Sequence, residues 1–123
     1  MISMISMKTK ACSLKVAVAT EGNKGLEDKV SHGFGHCETF TLLDIEDGEI
    51  KKIEVIANPA ESISHGRGPL LAQHLAKMNV KVVIAGEFGP GASAMLEEHG
   101  IKMLRITPGE LVANALKNSS LTK

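Results

Sequence analysis

A chain of 123 residues, 43% of them hydrophobic, has the material for one domain around one core and too little for a second. Its 14 basic and 14 acidic residues cancel, so no broad field draws it to a phosphate backbone or an anionic membrane. With three Phe, no Trp and no Tyr it also lacks the aromatic platforms on which single-stranded nucleic acid stacks, and neither nucleic acid nor membrane is an expected partner.

The N-terminal Met1-Ile2-Ser3-Met4-Ile5-Ser6-Met7 repeats a short unit around three candidate starts, Met1, Met4 and Met7. It runs into Lys8 and Lys10, unlike a signal peptide. Residues 1–12 are expected as a flexible tail, 13–117 as a single domain and 118–123 as a frayed C-terminal tail. No apolar run nears the length of a bilayer span, so a cytoplasmic protein is expected. Cys12 and Cys37 cannot build a disulfide framework; in a reducing compartment they are free thiols or metal ligands, and Cys12 falls in the tail.

Leu14–Thr20 is a short apolar run of β-branched and small residues, the pattern of a buried strand, and it ends in the loop Glu21–Gly25. Thr39–Ile45 and Glu49–Ala57 are two more strands, joined by Glu46-Asp47-Gly48 as an antiparallel hairpin. Asn58-Pro59 breaks the third strand. Leu70, Leu71, His74, Leu75 and Met78 then recur at helical spacing, with Pro69 at the first helical position. Lys81–Ala85 is a fourth strand, Ala92–His99 a helix stopped by Gly100, and Ile101–Ile106 a fifth strand. A last helix is expected over Pro108–Leu116, with Thr107 as N-cap and Glu110 completing a capping box.

This β-β-β-α-β-α-β-α order holds two right-handed crossovers and predicts an α/β fold with a five-stranded mixed sheet. If the first three strands pair antiparallel in turn, strands one, three, four and five point the same way. Their C-terminal loops, Ser31–Cys37, Ser64–Pro69 and Gly86–Gly91, then meet at one sheet edge, where open α/β sheets bind ligands.

In the first loop His32, His36 and Cys37 offer borderline-soft and soft donors, the set that suits zinc, copper or an iron-sulfur species. Gly33 and Gly35 argue against a helix, so any ligation requires a loop wrapped around its ligand; the plain alternative is a solvated histidine loop above a buried Cys37. His65 is a lone histidine in a polar loop. Arg67, between two glycines, can offer a charged ligand a fixed fork of donors, or be an ordinary surface arginine. Gly89, Pro90 and Gly91 open a helix whose N–H groups can face an anion, at about 0.3–1 kcal/mol per favourable charge, or simply make a tight turn.

Taken in order, Val16-Ala17-Val18-Ala19, Val30 to Cys37 leading into Phe40, Asn58-Pro59, His65-Gly66-Arg67-Gly68, Gly86 to Ala92 and Gly100-Ile101-Lys102-Met103 resemble the dinitrogenase iron-molybdenum cofactor biosynthesis family. That family includes accessory proteins of the NifX and NifY kind and the C-terminal region of NifB. The resemblance spans most of the chain and marks a stand-alone single-domain member. It implies a ribonuclease H-like three-layer fold with strand order 3-2-1-4-5 and helices on both faces. It also implies a non-enzymatic carrier of an iron-sulfur or molybdenum-containing cluster. The implied ligands are His32, His36 and Cys37, with His65 and Arg67 as supporting contacts. Cluster-assembly or target metalloproteins are the implied partners, and a monomer or weak homodimer is expected.

Three other readings compete. A ribonuclease H-like nuclease needs clustered carboxylates for two magnesium ions, and Leu14–Thr20 carries no Asp or Glu. A small-anion or nucleotide-binding module could use Arg67 and Gly86–Gly91, although no Gly-x-Gly-x-x-Gly follows a strand and no phosphate-loop Lys-Ser/Thr pair occurs. A metal-free protein-interaction domain would use the same loops as contact surface.

Overall fold

The structure, a computed structural model, describes residues 13–122; the expected tail 1–12, with Cys12, lies outside the described residues. The chain forms β1 (Ser13–Thr20), a 3-10 turn (Gly25–Glu27), β2 (Thr39–Glu46), β3 (Glu49–Ala57), α1 (Arg67–Lys77), β4 (Val82–Ala85), α2 (Pro90–Glu98), β5 (Lys102–Arg105) and α3 (Val112–Asn118). The strands make one sheet in the order β3-β2-β1-β4-β5, as expected. β1 is antiparallel to β2 and β2 to β3, while β4 is parallel to both β1 and β5. Asp47 (φ 52°) and Gly48 (φ 81°) both take positive φ in the β2–β3 turn, the backbone that an Asp-Gly hairpin supplies.

Strand alternation divides the core between the two faces. Ala17, Ala19, Phe40, Leu42, Val83 and Ala85 lie on one face, under Leu71, Leu75 and Leu96 of α1 and α2. Val16, Val18, Leu43, Ile45, Val82 and Ile84 lie on the other, under Val112, Ala115 and Leu116 of α3. The helices α1 and α2 approach each other closely at Gly68, where an added Cβ would lie 2.8 Å from the Cβ of Ala92.

The last helix departs from expectation. It begins at Val112, not Pro108, and no side chain caps it, so the Thr107–Glu110 capping box does not form. Tertiary hydrogen bonds claim the preceding residues instead. Gly109 N–H donates to the Val30 carbonyl (2.9 Å), Val30 N–H to the Glu110 carbonyl (2.8 Å) and Val112 N–H to the Asp28 carbonyl (2.9 Å). Gly109 sits at φ 92°, closed to a helix. Residues 107–111 thus form a strap across 28–30, where tertiary hydrogen bonds satisfy their main chain in place of another helical turn.

α3 runs to Asn118, past the expected boundary at 117, and Leu121 packs against the α3 side of the core. Ser120 and Leu121 share a shallow surface hollow with Ser13 and Leu14 at the start of β1 and with the Asp47-Gly48 turn. Among the described residues no helix is long and apolar enough to cross a membrane.

Candidate functional site

The loops after β1, β3 and β4 meet at the C-terminal edge of the sheet, held by main-chain and side-chain bonds. The Asp28 carboxylate, 5% exposed, folds the first loop by accepting from the N–H groups of Gly22 (3.0 Å), Lys24 (3.1 Å) and Lys29 (2.7 Å). Ser31 N–H then returns to the Ala19 carbonyl of β1 (2.7 Å). The loop after β4 lies alongside: Gly86 N–H donates to Ser31 (2.9 Å) and Phe34 N–H to Glu87 (3.0 Å). Gly86 is required here, because an added Cβ would stand 2.6 Å from the His32 carbonyl oxygen. Beneath these loops the buried Phe34 ring packs edge-on to Phe40 (centroids 5.6 Å apart) and against Phe88 (5.5 Å).

The loop after β3 is tied in by two side chains. Asn58, 3% exposed, donates from Nδ2 to the carbonyls of Cys37 (2.8 Å) and Gly35 (3.2 Å) and accepts at Oδ1 from Ala60 N–H (2.8 Å). Arg67 donates from Nε to the Ile63 carbonyl and from Nη2 to the Glu61 carbonyl (2.8 Å). Its Nη1 reaches the Gly35 carbonyl (3.5 Å) and Nδ1 of His36 (3.1 Å).

A cleft of about 320 Å³ lies between these loops, lined by Gly35, His36, His65, Arg67, Gly89 and Gly91 among others. α1 and α2 both begin at its wall, and neither has a side-chain N-cap. Two helix N-termini therefore add partial positive charge beside the Arg67 guanidinium. A second hollow, about 530 Å³, adjoins the first and shares Gly35, His36 and Gly89 with it. His32, Gly33 and Glu87 line this second hollow, and exposed His32 and Glu87 pair there (Nε2 to Oε1, 3.3 Å).

Most of the residues singled out in the sequence thus surround the first cleft, while His32 and Gly33 stand in its neighbour. Cys37 lines neither. Only 4% exposed, it donates through Sγ to the Phe34 carbonyl (3.5 Å), with Asn58 Nδ2 3.8 Å from the sulfur. Burial pushes its pKa up to about 12, against smaller lowering from main-chain hydrogen bonds and Arg67, so Cys37 is held as a thiol. The trio His32, His36 and Cys37 is not gathered: among the described residues no three His, Cys, Asp or Glu side chains form a metal-binding group. Sequence reasoning used Asn58 as a strand breaker and as part of the family pattern, without a site role, and gave Asp28 none. Asn-Pro at a strand end was the signal for the first; nothing local marks the second.

The family model described as dinitrogenase iron-molybdenum cofactor matches residues 14–120. The chain belongs to this family. An uncharacterised protein of Methanocaldococcus jannaschii is 35% identical over 92 residues, covering 75% of this chain and 74% of that one. Among solved structures, the apo form of the orange protein from Desulfovibrio gigas superposes with a TM-score of 0.75 at 32% identity, covering 85% of each chain. A candidate NifB protein from Thermotoga, assigned to the DUF35 family, superposes at 0.70 with 32% identity over 88% of each chain. Family and neighbours together relate this chain to iron-molybdenum cofactor biosynthesis.

Proposed function

We propose that this protein is a carrier for an anionic metal-sulfur cluster or its molybdenum-containing precursor, received from and passed to other cluster-assembly or target metalloproteins. One observation carries the reading: two uncapped helix N-termini, Arg67, His36 and His65 open onto a single cleft. Sulfido and oxo clusters present a negatively charged surface of acceptor atoms, and such a surface is matched by N–H donors and by partial positive charge. Gly35, Gly89 and Gly91 leave main chain rather than bulky side chains at the wall, so a compact inorganic cargo can approach closely. A carrier also needs no nucleophile. The thiol at the site, Cys37, is buried and protonated, and Glu87 is engaged with His32.

The donor set would also accept phosphate, which makes a small-anion module the second reading. Anaerobic reconstitution with iron, sulfide and molybdate, followed by metal analysis and visible spectroscopy, separates the two. The carrier reading expects a coloured species retained through gel filtration and diminished by His36→Ala and His65→Ala. A protein that takes up no metal, yet melts at a higher temperature with phosphate, would falsify it in favour of the anion module.

A further inference from the structure

We propose that Arg67 sets the chemistry of the cleft by locking His36 in the tautomer with its proton on Nε2, so that His36 meets cargo as a hydrogen-bond donor and not as a metal ligand. The inference deepens the carrier reading and rests on it only for the nature of the cargo. A guanidinium has N–H donors and no acceptor. With Nη1 of Arg67 3.1 Å from Nδ1 of His36, Nδ1 must therefore be the acceptor, and the single proton of the neutral ring sits on Nε2.

Arg67 is not a free surface side chain that meets His36 by chance. Its guanidinium is also engaged with the carbonyls of Ile63, Glu61 and Gly35, so the donor is fixed before the imidazole arrives. Gly35 immediately precedes His36, and its carbonyl is held a second time by Asn58. The main chain carrying the ring is thus clamped from two sides.

The consequence is selectivity. Nε2 is the nitrogen left for a ligand, and it carries a proton instead of a lone pair. A bare divalent ion needs a lone pair, and either route to one breaks the Arg67 bond: displacing the guanidinium from Nδ1, or moving the proton there to free Nε2. An oxo- or sulfido-metallate needs only a donor, and finds one without rearrangement. His36 and Arg67 together thus favour a complete metallate anion and reject the free metal ion.

Long-range proton–nitrogen NMR on uniformly 15N-labelled protein, with His36 assigned by His36→Gln, reads the tautomer directly. The wild type is expected to show one Nε2–H form, and Arg67→Ala a mixture of both. A wild-type ring protonated on Nδ1 overturns the proposal, and this spectrum decides even if Arg67→Ala does not fold. So does a tautomer ratio that Arg67→Ala leaves unchanged. Nickel is expected to perturb His36 in Arg67→Ala but not in the wild type; equal perturbation in both overturns the proposal. Tetrathiomolybdate is expected to bind Arg67→Ala about tenfold or more weakly than the wild type, the loss of a charge-assisted contact, and undiminished binding counts against it. A wild type that binds no metallate but shows the expected tautomer behaviour overturns the carrier reading and leaves the tautomer assignment standing.

Discussion

Cys37 and His36 are adjacent in sequence and have opposite environments. His36 is exposed on the cleft wall, whereas Cys37 turns beneath the loop, with its sulfur against the Phe34 carbonyl and Asn58. Two consequences follow for the thiol. In a Cys12→Ser background, Cys37 should resist iodoacetamide at pH 8 until the protein unfolds, and mass spectrometry would detect any native labelling. Its pKa is raised from 9.0 to about 12 on folding, so the unfolded chain releases the proton first. The stability held by the protonated thiol is therefore complete below about pH 9 and declines as pH rises toward 12, by about 1.4 kcal/mol per unit. Urea titrations of wild type and Cys37→Ala through this range check the sign, since only the wild type carries this slope. The sequence left two readings of Cys37 open, a ligand in a wrapped loop or a small buried residue beneath a solvated histidine loop, and its burial matches the second. A loop has no periodicity, so nothing local could choose between them.

Among the elements, the sheet was legible and the helix starts less so. Alternating apolar residues and the Asp47-Gly48 turn define the β2–β3 hairpin locally, and short crossovers then leave few strand orders open. α1 starts at Arg67, two residues before Pro69, and α2 at Pro90 rather than Ala92. These shifts place the glycines of both loops at or inside the first helical turns, which is how both helix ends come to face the cleft. The start of α3 was hidden because its hydrogen bonds go to residues 28–30, remote in sequence. Gly68 shows what the α1–α2 contact demands: Gly68→Ala would press a methyl group against Ala92 and part the two helices. We expect a loss of about 1–3 kcal/mol by urea denaturation, and weaker cargo binding because both helix ends move. Gly89→Ala, with open space around its Cβ, should cost far less on both counts.

For the molecule as a whole, zero formal charge separates local attraction from long-range attraction. The cleft gathers donors and partial positive charge at one point, but the surrounding acids and bases cancel beyond a Debye length. Capture of an anionic cargo should therefore be unsteered. Stopped-flow association of tetrathiomolybdate is expected to vary by no more than about threefold between about 20 and about 200 mM salt. A steep fall with salt would show a directing field that the composition does not supply.

The hollow shared by Ser13, Leu14, Ser120 and Leu121 brings the two ends of the described chain together, on the side of the sheet away from the cleft. The domain therefore has the geometry of a plug-in cassette. Its ends could be spliced into a surface turn of a host protein through short linkers, with the three loops facing outward and untouched. Such a fusion should keep the cargo affinity of the isolated domain, which would offer a way to deliver a cluster to a chosen acceptor by tethering.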